Sequence, residues 1–505
     1  MASDYPRICY VPLDERPCNA SFPALHLGHA VELVVPPAHL LGAKKTPGDT
    51  AALTTWLAEQ LPSCDACVAS VEQLLYGGLV PSRLHNETLD ILNARLSRLR
   101  AVFSRNPGVT INLFALIMRT PAYSSSDEEP GYYGRYGEAI YERSVLRDKR
   151  NLGYNIDAGR LEQLNSEIPA WVIEDYERRR EVNRSVLERV LEMYAEGTVN
   201  YLAIPMDDSS RYGYTAADRR HVRGRIVELQ LSEQVPVYPG ADETGMTLIA
   251  RAAALTAGRI PSVYPLYRCE QARRHFPKYE GLELESTVDH HIRAAGCMPA
   301  ESSETCDIVL ALHSGPRIDQ EAGEQPVGIS SDGTSDPDSD SFASELRRLS
   351  EKGLTVAAAD IAYTNGGDVR FVRALDRQGV LSSLAAYGGW NTPGNTLGCV
   401  ISTAAAQHLR RREQNRVHGL LYRLFDDVCY QAVVRSSLEP ASAQQAGFNP
   451  EGLVRMINDS WNRLELQSFS QSCPEVAAAE LPWNRLFEVQ LQLHMKEPAA
   501  VFEGA

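Results

Sequence analysis

No stretch of the 505-residue chain reaches the roughly 18 consecutive apolar residues that a helical membrane span requires. The first apolar run, "RICYVPLD", is too short and meets charge too soon for a secretory leader, so a soluble, cytoplasmic protein is expected. Positive charge is also scarce. Lys and Arg number 50 against 65 Asp and Glu, a balance of −15, and such a surface field repels nucleic acid and anionic lipid. The expected partner is therefore a small neutral or cationic molecule, with no nucleic acid and no membrane. Of ten cysteines only Cys64 and Cys67, in "LPSCDACVAS", lie close together, and the second pair of a zinc ribbon is missing. Although C-x-x-C is also the spacing of a redox pair, these thiols read more simply as small core-filling groups in a reducing compartment. G-x-x-x-x-G-K-[ST], G-x-G-x-x-G after a strand and G-x-S-x-G are all absent, which removes the usual support for nucleotide-dependent and serine-hydrolase readings. "VDHHIRAAG" imitates a phosphoesterase motif, but it opens a helical stretch without partner motifs. No cofactor and no resident metal are expected.

What is present is an alternation of apolar runs and helical segments. Strand candidates cover residues 7–13, 31–37, 65–76, 109–119, 199–206, 235–240, 262–267, 307–313, 354–360 and 383–390. Most lack a polar face, as parallel strands do when helices cover both sides of a sheet, so the fold class is α/β. Many of these runs end in polar residues or glycine, which favours a parallel (β/α) barrel with its site on a ring of strand ends. A barrel-like catalytic domain is expected over 1–400, with two strands outside the barrel; two α/β domains are the alternative. Residues 124–196 carry charge with helical apolar spacing and read as a helical insertion. Residues 316–342, acidic and rich in Ser, Gly and Pro, read as a mobile loop. Residues 401–505 show no convincing strand and are expected to form a helical C-terminal cap.

The chemistry is concentrated at the strand ends. In "YLAIPMDDSSRYG", Asp207 and Asp208 follow an apolar strand at the point where it must unwind, so both carboxylates can face one cavity, with Tyr212 nearby. Asp242 and Glu243 in "GADETGMTLIAR" end the next strand; they suit a helix N-terminus, but as neighbours of the first pair they would raise one another's pKa and supply a general acid. "PLDERPCN" offers Asp14, Arg16 and Asn19, and its guanidinium can hold a carboxylate through two bonds. Arg119 in "IMRTP" sits on an apolar run, where it demands a carboxylate partner. "ADIAYTNGGD" and "YGGWNTPGN" bring Asn365, Asp368, Trp390, Asn391 and Asn395. Amides, glycines that admit close approach and an aromatic face suit a neutral polyol or sugar. Turn formation and core packing are the plainer roles for the same residues.

"PLDERPCN", "YGGLVPSR", "IPMDDSSRYG", "GADETGMTLIAR", "AYTNGGD" and "GGWNTPGNTLG" resemble, in this order, the bacterial family of domain of unknown function 4127 across most of residues 7–400. The resemblance implies that these motifs belong together and carries no activity. A more distant likeness is to barrel glycosidases acting on N-acetylhexosamines, and it rests on fold-level analogy. Three functions are compatible with the residues. The first is a glycoside hydrolase, with Asp207, Asp208, Asp242 and Glu243 as acid, base or orienting groups and the remaining residues binding sugar. The second is a metal-dependent hydrolase or isomerase with a hard cation held by several of Asp14, Asp207, Asp208, Asp242 and Glu243. The third is a carbohydrate-binding protein without catalysis.

Overall fold

Each of the ten apolar runs forms a strand, and each strand is parallel to its sheet neighbours, because a run such as Tyr201–Met206 is buried at every position and leaves no face for water. The computed structural model describes residues 5–325, 336–438, 449–470 and 474–495. Among these residues no helix is long and apolar enough to cross a membrane.

The strands do not close into a barrel. They form two open sheets, of six and five strands, and the chain divides into two units. The first unit comprises Met1–Gly258, Tyr279–His290 and Ala294–Gly296. Its strands are β1 (Arg7–Val11), β2 (Glu32–Val34), β3 (Ala66–Ser70), β4 (Thr110–Phe114), β5 (Tyr201–Met206) and β6 (Val237–Pro239), in the order β2-β1-β3-β4-β5-β6. The second unit contains β7 (Ser262–Tyr267), β8 (Met298–Pro299), β9 (Ile308–His313), β10 (Thr355–Asp360) and β11 (Ala386–Gly388), in the order β8-β7-β9-β10-β11. Counted within its own unit, each sheet begins 2-1-3-4-5, a doubly wound order. Many decorated strand ends suggested one ring; two open parallel sheets supply as many ends without closing, which corrects the barrel expectation.

The core of the first unit follows from the strand faces. Cys9, Val11, Cys67, Ala69, Ile111, Leu113, Leu202 and Ile204 pack in one cluster with Leu57, Leu92, Leu96, Leu187 and Leu191 from the covering helices. Cys64 and Cys67 lie in that cluster unbridged, as core-filling thiols do. Between β4 and β5 the helices Tyr133–Asn151, Ala158–Glu167 and Ala170–Ala195 form the helical insertion, with a small core of its own around Tyr133, Ile140, Leu164, Val172 and Tyr176.

Two expectations for the second unit change. The ends of the 316–342 segment are built in: Glu321 bridges to Thr364 and the helix Pro337–Glu351 starts on an Asp336 cap, while residues 326–335 at its centre lie outside the described residues. The C-terminal region is not purely helical. Glu475–Glu480 and Gln490–His494, β12 and β13, form an antiparallel pair that packs with the helix Pro450–Leu464. In β12 the inward residues are Val476 and Ala479 alone, too little apolar material to stand out in the sequence.

Candidate functional site

The end of β3 comes earlier than the apolar run suggests. Strand residues stop at Ser70, whose Oγ accepts from Gln73 N and caps the helix Val71–Tyr76, so the presumed strand 65–76 is half helix. This helix buries Glu72, whose Oε1 accepts from Leu116 N at 2.8 Å while Ser70 Oγ donates to Oε2 at 3.2 Å. Gly77 and Gly78, with φ of +83° and +136°, turn the chain into the short helix Leu79–Leu84, and this turn delivers Arg83.

Arg83 meets the end of β5. Its Nη2 pairs with Asp207, and its Nη1 donates to Glu128 Oε2 at 2.9 Å. Asp208 sits at φ +35°, outside strand geometry, which is how two successive carboxylates come to flank one group of cations. Its Oδ2 accepts from Arg119 Nη1 at 2.9 Å; Arg119 Nε donates to Glu129 Oε1 at 2.8 Å and Nη2 to Glu128 Oε2 at 3.3 Å. Glu128 thus bridges two guanidiniums, each of which also holds one of the paired aspartates. Arg119 has the carboxylate partners its burial requires.

Burial divides the carboxylates. Glu72 is pushed up to about 7 by burial, against the lowering effect of its bonds from Leu116 N and Ser70. Asp208, which keeps 29% of its side chain exposed, is pushed up to about 6 by the water that it loses and by the charge of Asp207, with Arg119 acting in the opposite direction. Glu72, Arg83 and Asp207 line a cavity of about 20 Å³ together with Ser82, Asn183 and Met118. That is room for about one water molecule.

Arg119 is positioned from the helical insertion. Arg180, buried and paired with Asp218, donates to the carbonyls of Met118 at 2.8 Å and Arg119 at 2.9 Å; the Tyr176 hydroxyl donates to the Arg119 carbonyl at 3.1 Å. Glu72, Arg83, Glu128, Glu129 and Arg180 were not singled out from the sequence. Arg83 belongs to "YGGLVPSR" and Glu72 to an apolar run that reads as strand, but Glu128, Glu129 and Arg180 belong to a charged, helix-rich stretch where nothing distinguishes them from solvated surface residues.

The other predicted residues of this unit form a second group. Arg16 Nη2 lies 2.5 Å from Asp242 Oδ1 and Nη1 lies 3.3 Å from Oδ2, the expected two-bond pair, and Arg16 Nε donates to Asp14 Oδ2 at 2.9 Å. Asn19 Nδ2 donates to Asp14 at 3.0 Å and to Asp242 at 3.2 Å. The helix Thr244–Thr256 after β6 lies back across β1, β3 and β4 and so brings Asp242 to the loop after β1. Glu243 folds back to accept from Ala241 N at 2.9 Å, in space left by Gly240, where a Cβ would meet Glu243 Oε1 at 2.2 Å. The bonds of Asp242 therefore go to Arg16 and Asn19, and those of Asp207 and Asp208 to Arg83 and Arg119. Tyr212 contacts Tyr154 and Lys149 of the insertion.

Asn365, Asp368, Trp390, Asn391 and Asn395 belong to the second unit, at the ends of β10 and β11. Asp368 caps the helix Val369–Arg377, and its Oδ2 lies 3.2 Å from His313 Nε2 at the end of β9. Asp360 Oδ2 accepts from Asp368 N at 2.7 Å and from the Tyr387 hydroxyl at 2.9 Å. The paired glycines serve packing: a Cβ on Gly367 would meet the Tyr387 hydroxyl at 2.2 Å, and one on Gly389 would meet Gly367 Cα at 2.8 Å. Asn365 and Asn391 take left-handed φ of +62° and +60°, and Asn365 N donates to the Asn391 carbonyl at 2.8 Å. Asn395 Nδ2 donates to Thr392 Oγ1, the cap of the helix Pro393–Leu409. Trp390 is 3% exposed, with Arg423 over its ring at 5.8 Å.

No curated protein and no solved structure gives a significant match to this chain. A family model does match, over residues 8–492, so it covers both sheets and the C-terminal strand pair as well as the motifs at the strand ends. The chain belongs to the family described as Protein of unknown function (DUF4127).

Proposed function

We propose that the chain is a hydrolase of a small glycoside, working through the carboxylates at the end of β5. The observation that carries this reading is the unlike setting of two adjacent aspartates. Asp207 pairs with the buried Arg83, while Asp208 keeps 29% of its side chain exposed and is pushed up to about 6. A carboxyl group whose pKa is raised toward neutrality suits a general acid, and a neighbouring carboxylate locked by an arginine suits the charge that develops on a sugar ring. Asp208 would protonate the glycosidic oxygen as the carbon–oxygen bond breaks. Water would supply the new hydroxyl, and its proton would pass to a carboxylate of the cluster. The Asp242 and Glu243 pair, bonded into the loop after β1 and the start of a helix, takes no chemical step here and holds the strand ends in place.

The test is turnover of a panel of aryl glycosides by the intact chain, beside Asp208→Asn. Release of the aryl group that falls at least a hundredfold in the variant supports the reading. No release from any substrate of the panel, with sugar binding retained, would leave a binding protein.

A further inference from the structure

The two arginines of the cluster are closed off by carboxylates that do not come from the sheet. Glu128 and Glu129 lie in "SSSDEEPG", between β4 and the helix Tyr133–Asn151. This segment is tied down from elsewhere: Lys44 pairs with Asp127, and Lys45 Nζ donates to the Ser126 carbonyl at 2.5 Å. Both lysines sit on the short hairpin of Gly42–Ala43 and Thr46–Pro47. The result is a strap, pinned at the hairpin, that places two successive glutamates on Arg83 and Arg119.

The strap meets the needs of these arginines only in part. Arg83 Nε is a buried donor without a partner among the described residues, and Glu129 Oε2 is a buried acceptor without one. The small cavity lies beside Arg83, Asp207 and Glu72. A guanidinium presents a planar fork of donors that matches a two-oxygen anion. Here one oxygen, Glu128 Oε2, is shared between the two forks.

We infer that Arg83 and Arg119 recognise an oxyanion on the substrate, and that Glu128 and Glu129 are the internal stand-in which this oxyanion displaces. The inference rests on the hydrolase reading and narrows its substrate to an acidic sugar, one that carries a carboxylate or a phosphate. Displacement exchanges one set of anions for another, so both arginines remain paired throughout. The released glutamates move into water, where ionised carboxylates are well solvated.

The experiment is calorimetric titration of the intact chain with D-glucuronate, glucose 6-phosphate and glucose. One of the two acidic sugars is expected to bind about tenfold or more tightly than glucose, with the preference lost in Arg119→Gln. Glucuronate alone would identify the carboxylate as the recognised group, and glucose 6-phosphate alone the phosphate. In Glu128→Gln/Glu129→Gln, and more weakly in Lys44→Ala/Lys45→Ala, affinity for that same sugar should rise, because the strap competes less well. Equal binding of all three sugars by the parent chain overturns the inference, as does an acid preference that survives Arg119→Gln. Should Arg119→Gln fail to fold, the lysine variants decide the role of the strap: unchanged affinity refutes it. Acid-selective binding without turnover of any glycoside would remove the hydrolase reading and leave this one, and turnover of neutral glycosides without acid preference would do the reverse.

Discussion

At the end of β5, Asp208 is 29% exposed and shares the Arg119 guanidinium with two glutamates; at the end of β9, His313 is wholly buried and stacked on Phe371 with ring centroids 3.8 Å apart. The two places are equivalent in kind, since both are C-terminal ends of parallel strands in sheets that begin with the same order. Both also hold carboxyl groups shifted from their ordinary values, Glu72 and Asp208 in the first. In the second unit burial pushes Asp360 up to about 6, while Asp368 is held down at about 2 because the bond and charge from His313 and the charge of Arg370 outweigh its burial. The clusters differ in what surrounds them. His313, Asp360, Asp368 and Tyr387 are each at most 3% exposed, and their bonds run to one another and to the backbone of the next helix. The first cluster reaches water through Asp208, and its arginines are closed off by a strap from a different part of the chain. A polar strand end is thus not a site by its composition alone. Access to water separates a place for chemistry from a polar core, since incomplete pairing is common to both: His313 Nδ1 and Asp360 Oδ1 are buried without a partner among the described residues, as Arg83 Nε and Glu129 Oε2 are.

The largest effect expected from this contrast is catalytic. Asp207→Asn and Asp208→Asn should each lower turnover of any cleaved glycoside by about 10²- to 10⁴-fold, or roughly 3 to 5 kcal/mol of barrier; the melting temperature should change little in Asp208→Asn and fall in Asp207→Asn, which takes a carboxylate from the buried Arg83. A variant that melts early yet turns over normally in its folded fraction would move that residue into the structural class. The converse is expected for His313→Ala. It removes a ring stacked on Phe371 and takes one of the partners of the buried Asp368, which keeps Arg370, so stability in urea should fall by about 3 kcal/mol. If that change instead leaves the denaturation midpoint untouched, the second cluster is not the polar core described above.

Glu72 tests the first cluster through pH. Its folded-state value of about 7 lies above its ordinary value near 4.5, so the folded form binds its proton more tightly. The associated stability is fully present below about pH 4.5, declines as pH rises and is lost above about 7, for a total on the order of 3 kcal/mol. Glu72→Gln should flatten this slope, as read from unfolding free energies at pH 4, 6 and 8; an unchanged slope would assign it to another group. The smallest effect concerns the strap. The Lys44–Asp127 pair is partly exposed, so Lys44→Ala should cost no more than about 0.5 kcal/mol. Amide exchange over residues 124–130 should nevertheless speed up, and unchanged exchange would show that the strap is held by its glutamates alone.

The strands were legible because a fully buried parallel strand is a local fact: every side chain must be apolar, as in "YLAIPM" and "DIVLALH". The helical insertion was legible from its apolar spacing for the same reason. Glu72 was not, because "ACVASVEQLL" is apolar on both sides of Ser70 and only the cap shows where the strand stops. The antiparallel pair β12 and β13 escaped notice because so few of its residues point inward.

The sequence by itself determined that the chain is α/β, that its strands are parallel and that its polar residues gather where those strands end, because these properties follow from burial patterns within a few neighbouring residues. Tertiary structure alone decided that the strands form two open sheets, since closure depends on which edge strands pair and not on how apolar each one is. It also decided the partnerships of the carboxylates. Asp207 and Asp242 look alike in sequence, yet one pairs with Arg83 and the other with Arg16, 226 positions away, because an ion pair depends on which chain segments the packed helices bring together.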